Sequence, residues 1–237
     1  MVTTGLSKSL ALGGWRIGAA RLPAGPLGDR LRRALTGAGS EIWSAPTAPV
    51  QHAAALAFSE PAEITERITA SRSLHATIAR AVAGVCTAAG LTVPPPQAAF
   101  YLYPDFEPWR DHLRARHKVT TGPGLARLLL DRYGVGTLPA TAFGEHSRAL
   151  RLRLATGLLY GDTDHQRAAA LTAPDPLTLP WIAAALTRLE DILTDLAGLP
   201  LAGSGVDDPV VAPKNPASEG HVALISELEA KGSADAV

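Results

Sequence analysis

A chain of 237 residues, 46% of them hydrophobic, is long enough to bury a sizeable core, which excludes a wholly disordered protein. Its 22 basic residues balance 22 acidic ones, so no net charge favours nucleic acid or an anionic membrane as a partner. The single cysteine excludes an internal disulfide, and neither a leader nor an 18-residue apolar run is seen, which together predict a cytoplasmic protein.

The first eighteen residues have the pattern of two short strands around a glycine-containing loop. Residues 2–4 are β-prone and end at Gly5, so Lys8 is expected in a turn just past a strand. Residues 15–20 are predicted to form the second strand. A long side chain such as that of Lys8 could be directed into a pocket from this position.

Apolar spacing of three and four residues predicts helices through the next part of the chain. The first of them is expected to end at Gly37 and the longest to be capped by Gly90. The predicted helices cover residues 26–35, 51–58 and 62–89.

Strands and helices then alternate, which makes α/β or α+β the predicted fold class. Pro180 is expected in the first turn of the last helix, where its missing N–H needs no partner. Residues 200–237 are rich in Gly, Pro, Asp and Ser and are predicted to be a disordered tail. The predicted strands are 98–104, 135–139 and 149–155, and the predicted helices are 124–133 and 181–196.

Lys8 and Arg16 are the first candidates for chemistry, although either residue alone is typical of a solvated surface. The neighbouring glycines at 13, 14 and 18 favour a functional site, because they indicate that the backbone passes close to another group. A planar guanidinium such as that of Arg16 suits a phosphate.

These residues carry a family resemblance. Residues 7–18 contain Ser-Lys, then a short variable stretch, then Gly-x-Arg-x-Gly. They resemble the cofactor-lysine segment of class I/II aminotransferases. These are fold-type-I enzymes that use pyridoxal 5′-phosphate. Residues 98–106 resemble the family's small-domain strand, and residues 138–144 followed by 150–152 resemble its Pro-Gly-x-x-Phe-Gly turn and its substrate-arginine strand.

The resemblance implies a role for each matched residue. Lys8 would form an aldimine with the cofactor aldehyde and then move the proton between substrate and cofactor. Arg16 would hold the cofactor phosphate. A family serine that contacts the phosphate is replaced here by Gly5, and Ser7 or Thr4 would supply that contact instead. Arg151 would clamp the substrate carboxylate; it is preferred over Arg153, two residues further along the same face, because its Leu-Arg-Leu context matches the family.

The same resemblance implies an architecture and partners. Residues 1–60 would be the end of the large cofactor-binding domain, and residues 61–199 the α+β small domain with its long connecting helix and C-terminal helix. The rest of the large domain would be missing upstream, so the chain alone is expected to bind the cofactor weakly or not at all. An amino acid and a 2-oxo acid would be its substrates. The implied assembly is a homodimer, or association with a chain that supplies the missing domain.

Two other functions stay open from the sequence. A pyridoxal-phosphate-dependent decarboxylase, lyase or carbon–carbon bond-forming enzyme would use the same lysine and arginines. Alternatively, the chain is a non-catalytic fragment or one half of a split enzyme. This second possibility predicts an exposed apolar face within residues 1–60.

The remaining polar groups predict little chemistry. His112 and His117 are expected on a solvated basic face, and Cys86 lies in an apolar stretch typical of an inert core thiol. The Asp-Thr-Asp-His run at residues 162–165 has loop-like flanks and no second ligand group nearby, so no metal site is predicted.

Overall fold

The computed structural model describes residues 1–198, and the predicted tail at 200–237 lies outside these residues. The chain divides into two compact units, one formed by Met1–Ser71 and one that begins at Arg72. The expected domain boundary after residue 60 remains a prediction.

The first unit is built on a β-hairpin and helices. Strands β1 (Val2–Gly5) and β2 (Gly18–Arg21) pair antiparallel, with Gly5 opposite Gly18. A small apolar core forms around the buried side chains of Leu6, Ala54 and Ala57. The helices are α1 (Leu6–Ser9), α2 (Pro26–Ile42), α3 (Ala48–Phe58) and the start of α4 (Ala62–Ala88).

Helix α2 does not end at Gly37, so that prediction was wrong. The helix continues because a glycine is only mildly unfavourable inside a helix and does not by itself end one. It ends where Ser44 takes a left-handed φ of 61° and the N–H groups of Trp43 and Ser44 both donate to the Gly39 carbonyl. The Trp43 ring lies close to Gly39, where an added Cβ would be 3.3 Å from it.

The second unit packs helices around a three-stranded antiparallel sheet. The mixture of helices and sheets in the two units confirms the predicted α/β or α+β class. The sheet order is β3-β5-β4, with β3 at Tyr101–Leu102, β4 at Leu138–Pro139 and β5 at Leu152–Ala155. The helices, besides the continuation of α4, are α5 (Arg110–His117), α6 (Gly122–Tyr133), α7 (Asp164–Thr172) and α8 (Pro180–Ala197).

One continuous apolar core holds the second unit together. Its fully buried side chains come from α4, α5, α6, α8 and the strands. They include Ile78, Val82, Leu113, Leu125, Leu150, Leu152, Ile182 and Leu196. Among residues 1–198, no helix has both the length and the apolarity that a membrane crossing needs.

Regular strand pairing is shorter than the alternating sequence pattern predicts. Of residues 98–104 only two form β3, because Ala99 adopts a left-handed φ of 57° and Pro104 has no N–H to donate. Beyond this proline, Asp105 continues the sheet only as isolated bridges to Thr92 and Arg151.

Candidate active site

The hairpin of the first unit brings together three of the predicted site residues. Its 12-residue loop begins after Gly5 and ends before Gly18, which are directly opposite each other. Ser7 and Lys8 lie at the start of this loop and Arg16 at its end, so all three are at the same end of the ribbon.

Backbone hydrogen bonds and one buried side chain fix the loop. The Leu6 N–H donates to the Ile17 carbonyl at 3.3 Å, which extends the hairpin pairing by one step. The Leu6 carbonyl accepts from Leu10 and Leu12, and its side chain is buried against those of Ile17 and α3. The Leu6–Ile17 hydrogen bond therefore joins the two ends of the loop, and the contacts of Leu6 with Leu10 and Leu12 fix its first half.

Gly18 is the position where the backbone passes close to another group. An added Cβ at Gly18 would lie 2.7 Å from the Thr4 carbonyl oxygen across the hairpin. By contrast, a Cβ at Gly13 or Gly14 would meet nothing within 4 Å. The expectation of close approach therefore holds for one of the three glycines, and the neighbour is the partner strand.

Arg16 is presented by an uncommon backbone conformation. Its φ of 50° is left-handed, which costs a non-glycine residue about 1 kcal/mol. Its Nη1 donates to the Gly13 carbonyl at 3.2 Å, and the residue is exposed. The guanidinium is thus held near the loop backbone while remaining accessible.

Lys8 lies in a single helical turn, α1, where a turn was predicted. Buried Leu6 anchors this turn, whereas Lys8 is exposed and Ser7 is half-buried. The first unit therefore presents a primary amine, a guanidinium and a hydroxyl at one end of one hairpin. An aldehyde reacts with a primary amine, and a phosphate is held by a guanidinium and hydroxyls, so this donor set fits pyridoxal phosphate.

Arg151, the predicted carboxylate clamp, lies in the second unit directly before β5. It alternates with buried Leu150 and Leu152, so its side chain points away from the core, as does that of Arg153. The Arg153 guanidinium stacks over the rings of Tyr101 and Phe143, at 4.5 and 4.9 Å from their centres. The two arginines thus share a face, as expected, but have different surroundings.

The Arg151 guanidinium is held by two carboxylates. Its Nε donates to Asp105 Oδ2 at 2.9 Å, and its Nη1 forms an ion pair with Glu145 Oε2. The Tyr103 hydroxyl donates to the other Glu145 oxygen at 2.8 Å. Burial together with this Glu145 contact raises the pKa of Tyr103 to about 12, so the hydroxyl remains a donor at neutral pH.

The sequence did not reveal Asp105 or Glu145 as partners of Arg151. They are 46 and 6 residues away from it, and the sheet and the turn at Gly144 bring them together. Their positions are the one indication that the sequence offers: Asp105 directly follows the predicted strand at 98–104, and Glu145 directly follows the turn residues 138–144.

The predicted solvated face of His112 and His117 was wrong. Both are partly buried: the His112 Nε2 atom has no solvent exposure and His117 Nε2 lies 3.2 Å from the Leu196 carbonyl of α8. Burial is the main reason why the pKa of His117 is lowered. These rings help to attach α5 to α8.

The run at residues 162–165 is the start of a helix where loop-like flanks were expected. Thr163 caps α7 by accepting from the Gln166 N–H, and the Gln166 side chain accepts from the Thr163 N–H in return. Asp164 pairs with Arg167 at 2.8 Å. Within residues 1–198, no group of three or more His, Cys, Asp or Glu side chains is placed to hold a metal ion.

Comparison with known proteins assigns this chain to a family. The family model described as aminotransferase class I and II matches residues 1–158. The aspartate/prephenate aminotransferase of Cereibacter sphaeroides is 34% identical over 147 residues, which are 61% of this chain and 34% of that protein. The aspartate aminotransferase of Geobacillus stearothermophilus is 32% identical over 158 residues, 67% of this chain and 37% of that protein. The chain thus spans about a third of the length of these relatives.

Solved structures agree on the fold. The aromatic aminotransferase from Pyrococcus horikoshii superposes with a TM-score of 0.55 at 22% identity over 81% of this chain and 42% of that one. An aspartate aminotransferase variant from Thermus thermophilus gives 0.56 at 22% identity over 80% of this chain and 42% of that one. The match of the family model to two thirds of the chain confirms the resemblance, and the chain belongs to the class I and II aminotransferase family.

Proposed function

We propose that this chain forms part of a pyridoxal-phosphate-dependent aminotransferase that moves an amino group between an amino acid and a 2-oxo acid. One observation supports the proposal most strongly. In a chain of this family, a single hairpin presents Lys8, Arg16 and Ser7 at the same end. The aspartate aminotransferases among its relatives make aspartate and 2-oxoglutarate the first substrates to test.

Each residue of the hairpin site would do a distinct job. Pyridoxal phosphate, when bound, supplies an aldehyde and an electron-accepting ring. The exposed Lys8 amine would attach to it and, once released, accept and return the substrate proton. Arg16 would bind the phosphate through charge-assisted hydrogen bonds, and the Ser7 hydroxyl would add a neutral donor.

Arg151 would orient the substrate by gripping its carboxylate with two N–H groups. A bidentate contact fixes the rotation of the amino acid, which determines the bond that is labile. Its strand position supports this role, because the buried leucines on either side direct the guanidinium outward.

The experiment is to titrate the purified chain with pyridoxal phosphate and follow visible absorbance, then to assay amino transfer from aspartate to 2-oxoglutarate. Lys8→Arg keeps the positive charge but removes the reactive amine, so both signals should be lost. Lys118→Arg is the matched control, since Lys118 lies in the second unit, where its amine donates to the Ala115 carbonyl at 2.9 Å. Cofactor absorbance and turnover in Lys8→Arg as strong as those of Lys118→Arg, and well above background, would contradict the role of Lys8.

Product analysis also separates the related reactions. A decarboxylase would release carbon dioxide, and a lyase or carbon–carbon bond-forming enzyme would change the substrate skeleton. Transfer of the amino group with an intact skeleton is the result expected here.

A second candidate function is that the chain acts only together with another polypeptide, either a second copy of itself or a chain with the rest of the family's large domain. Exposed apolar side chains in the first unit support it, among them Leu27, Ile42, Trp43 and Leu56. If the chain alone gives no Lys8-dependent absorbance but does so when mixed with such a partner, this second function is the correct one.

We also keep a cytoplasmic location as a proposal, supported by the fully buried free thiol of Cys86.

A further inference from the structure

The guanidinium of Arg151 already has a carboxylate oxygen on each of its two binding edges. A bidentate ligand uses either the Nε side of the fork or its far end. Asp105 occupies Nε at 2.9 Å, and Glu145 occupies Nη1 at the far end. An incoming carboxylate can therefore bind in bidentate fashion only if one of these two partners leaves.

We propose that Glu145 is an internal carboxylate that occupies Arg151 until a substrate carboxylate displaces it, and so sets the affinity of this site for carboxylates. The inference rests on the proposed role of Arg151 in substrate binding. It adds a specificity-determining residue to that site.

Glu145, and not Asp105, is the partner suited to leave. Asp105 is part of the sheet through backbone bridges to Thr92 and Arg151, and its second oxygen accepts from the Glu107 N–H at 2.9 Å. Glu145 is attached at a turn instead, directly after Gly144 with its φ of 83°. Its longer side chain can rotate away without any movement of the sheet.

Charge gives the direction of the effect. One guanidinium is shared by two carboxylates, so a third carboxylate entering the cluster would meet a net negative surrounding. Departure of Glu145 restores a one-to-one balance with Asp105 and frees the Nη1 donor. The Tyr103 hydroxyl, which donates to Glu145, favours the occupied state and must release or follow that side chain.

The test is a succinate titration of the full-length chain without cofactor, followed by NMR of the ¹⁵N-labelled arginine Nε–H groups. The Arg151 signal is assigned by its loss in Arg151→Lys. Glu145→Gln keeps the shape of the side chain but removes its charge, so succinate should shift the Arg151 signal at about fivefold lower concentration than in the wild type. Glu145→Ala should show the same gain in succinate response. It removes any hydrogen bond to Arg151 that glutamine could still form.

Glu107→Gln is the matched control. Glu107 pairs with Arg110 at 2.6 Å, and Arg151 is near enough to help lower the pKa of Glu107, yet the side chain does not occupy the Arg151 fork. This variant removes the same charge nearby and should leave the succinate response close to that of the wild type.

Three results would overturn the proposal: no gain in the Glu145 variants, an equal gain in Glu107→Gln, or no succinate response of Arg151 in Glu145→Gln. Because the titration needs neither cofactor nor turnover, it stands apart from the test of the proposed function. If the chain shows no amino transfer but its succinate response depends on Glu145, the proposed aminotransferase function is wrong and the proposal for Glu145 still holds.

Discussion

Gly14 and Gly18 lie four residues apart around the candidate cofactor site, but their surroundings differ. The position of Gly18 is opposite Gly5 in the hairpin, where the Thr4 carbonyl leaves no room for a side chain. Gly14 faces open space inside a short 3-10 turn. The family pattern Gly-x-Arg-x-Gly therefore has, at its second glycine, a steric reason that does not depend on a ligand.

Replacement of Gly18 by alanine should destabilise the first unit by about 1 to 3 kcal/mol, because the new Cβ forces the two strands apart. Gly14→Ala is the control and should be neutral or slightly stabilising, since it only reduces the freedom of the unfolded chain. Urea denaturation followed by circular dichroism measures both. Equal midpoints for the two variants would show that the hairpin tolerates the extra methyl group.

The candidate site residues could be predicted from the sequence where one short segment carries them. Lys8, Ser7 and Arg16 all belong to the loop of one hairpin, and a local motif is enough to identify them. The surroundings of Arg151 could not be predicted, because Asp105 and Glu145 reach it through the sheet and a turn. Contacts of this kind depend on tertiary folding and have no fixed spacing in the sequence.

At the scale of elements, long periodic segments were predicted well and short ones were not. Helix α4 was expected at 62–89 and α8 at 181–196, close to their observed bounds of Ala62–Ala88 and Pro180–Ala197. Helix α5 was missed because only Leu113 of its eight residues is buried, which leaves almost no apolar period to detect. Strand bounds were too long because local backbone geometry, as at Ala99, ended the pairing early.

Helix α7 was missed although its start carries a readable signal. Thr163 followed three residues later by Gln166 is a capping box, and both reciprocal hydrogen bonds are present. The run at residues 162–165 also contains two aspartates and a histidine, residue types that are typical of metal sites as well as of helix starts. A helix of nine residues depends strongly on such a cap.

Thr163→Ala should therefore destabilise the second unit by about 1 kcal/mol, since it removes the acceptor for the Gln166 N–H. Thr172→Ala, at the other end of α7, is the matched control. That hydroxyl donates to the Ala168 carbonyl, which already belongs to the helix, so its loss should have little effect. Thermal denaturation of both variants gives the comparison, and a control as unstable as Thr163→Ala would rule out the cap as the cause.

At the scale of the whole molecule, most of the apolar stripe of α2 is exposed among residues 1–198, and only Leu31 of the stripe is half-buried there. The side chains of Leu27, Leu31, Leu35 and Ile42 fall within about 80° around the helix axis. Leu27 is 59% exposed and Ile42 73% exposed. Gly28 and Gly39 are the only buried residues of α2. They are covered by Pro23 and Trp43, which lie just outside the two ends of this helix and belong to no other helix or strand. An amphipathic helix of this kind normally buries its apolar stripe against another element.

We expect a second copy of the chain to cover this stripe. The stripe is apolar on each copy, so two copies related by a two-fold axis can bury it together. With 22 basic and 22 acidic residues, no net charge opposes their approach at neutral pH. Leu35→Glu places a charge in the stripe and should convert a dimer to a monomer in sedimentation velocity. Thr36→Glu adds the same charge at an exposed position well away from the stripe and should leave the dimer intact. If the wild-type chain is a monomer at every concentration tested, or if Leu35→Glu dimerises as the wild type does, the stripe is not a self-association surface.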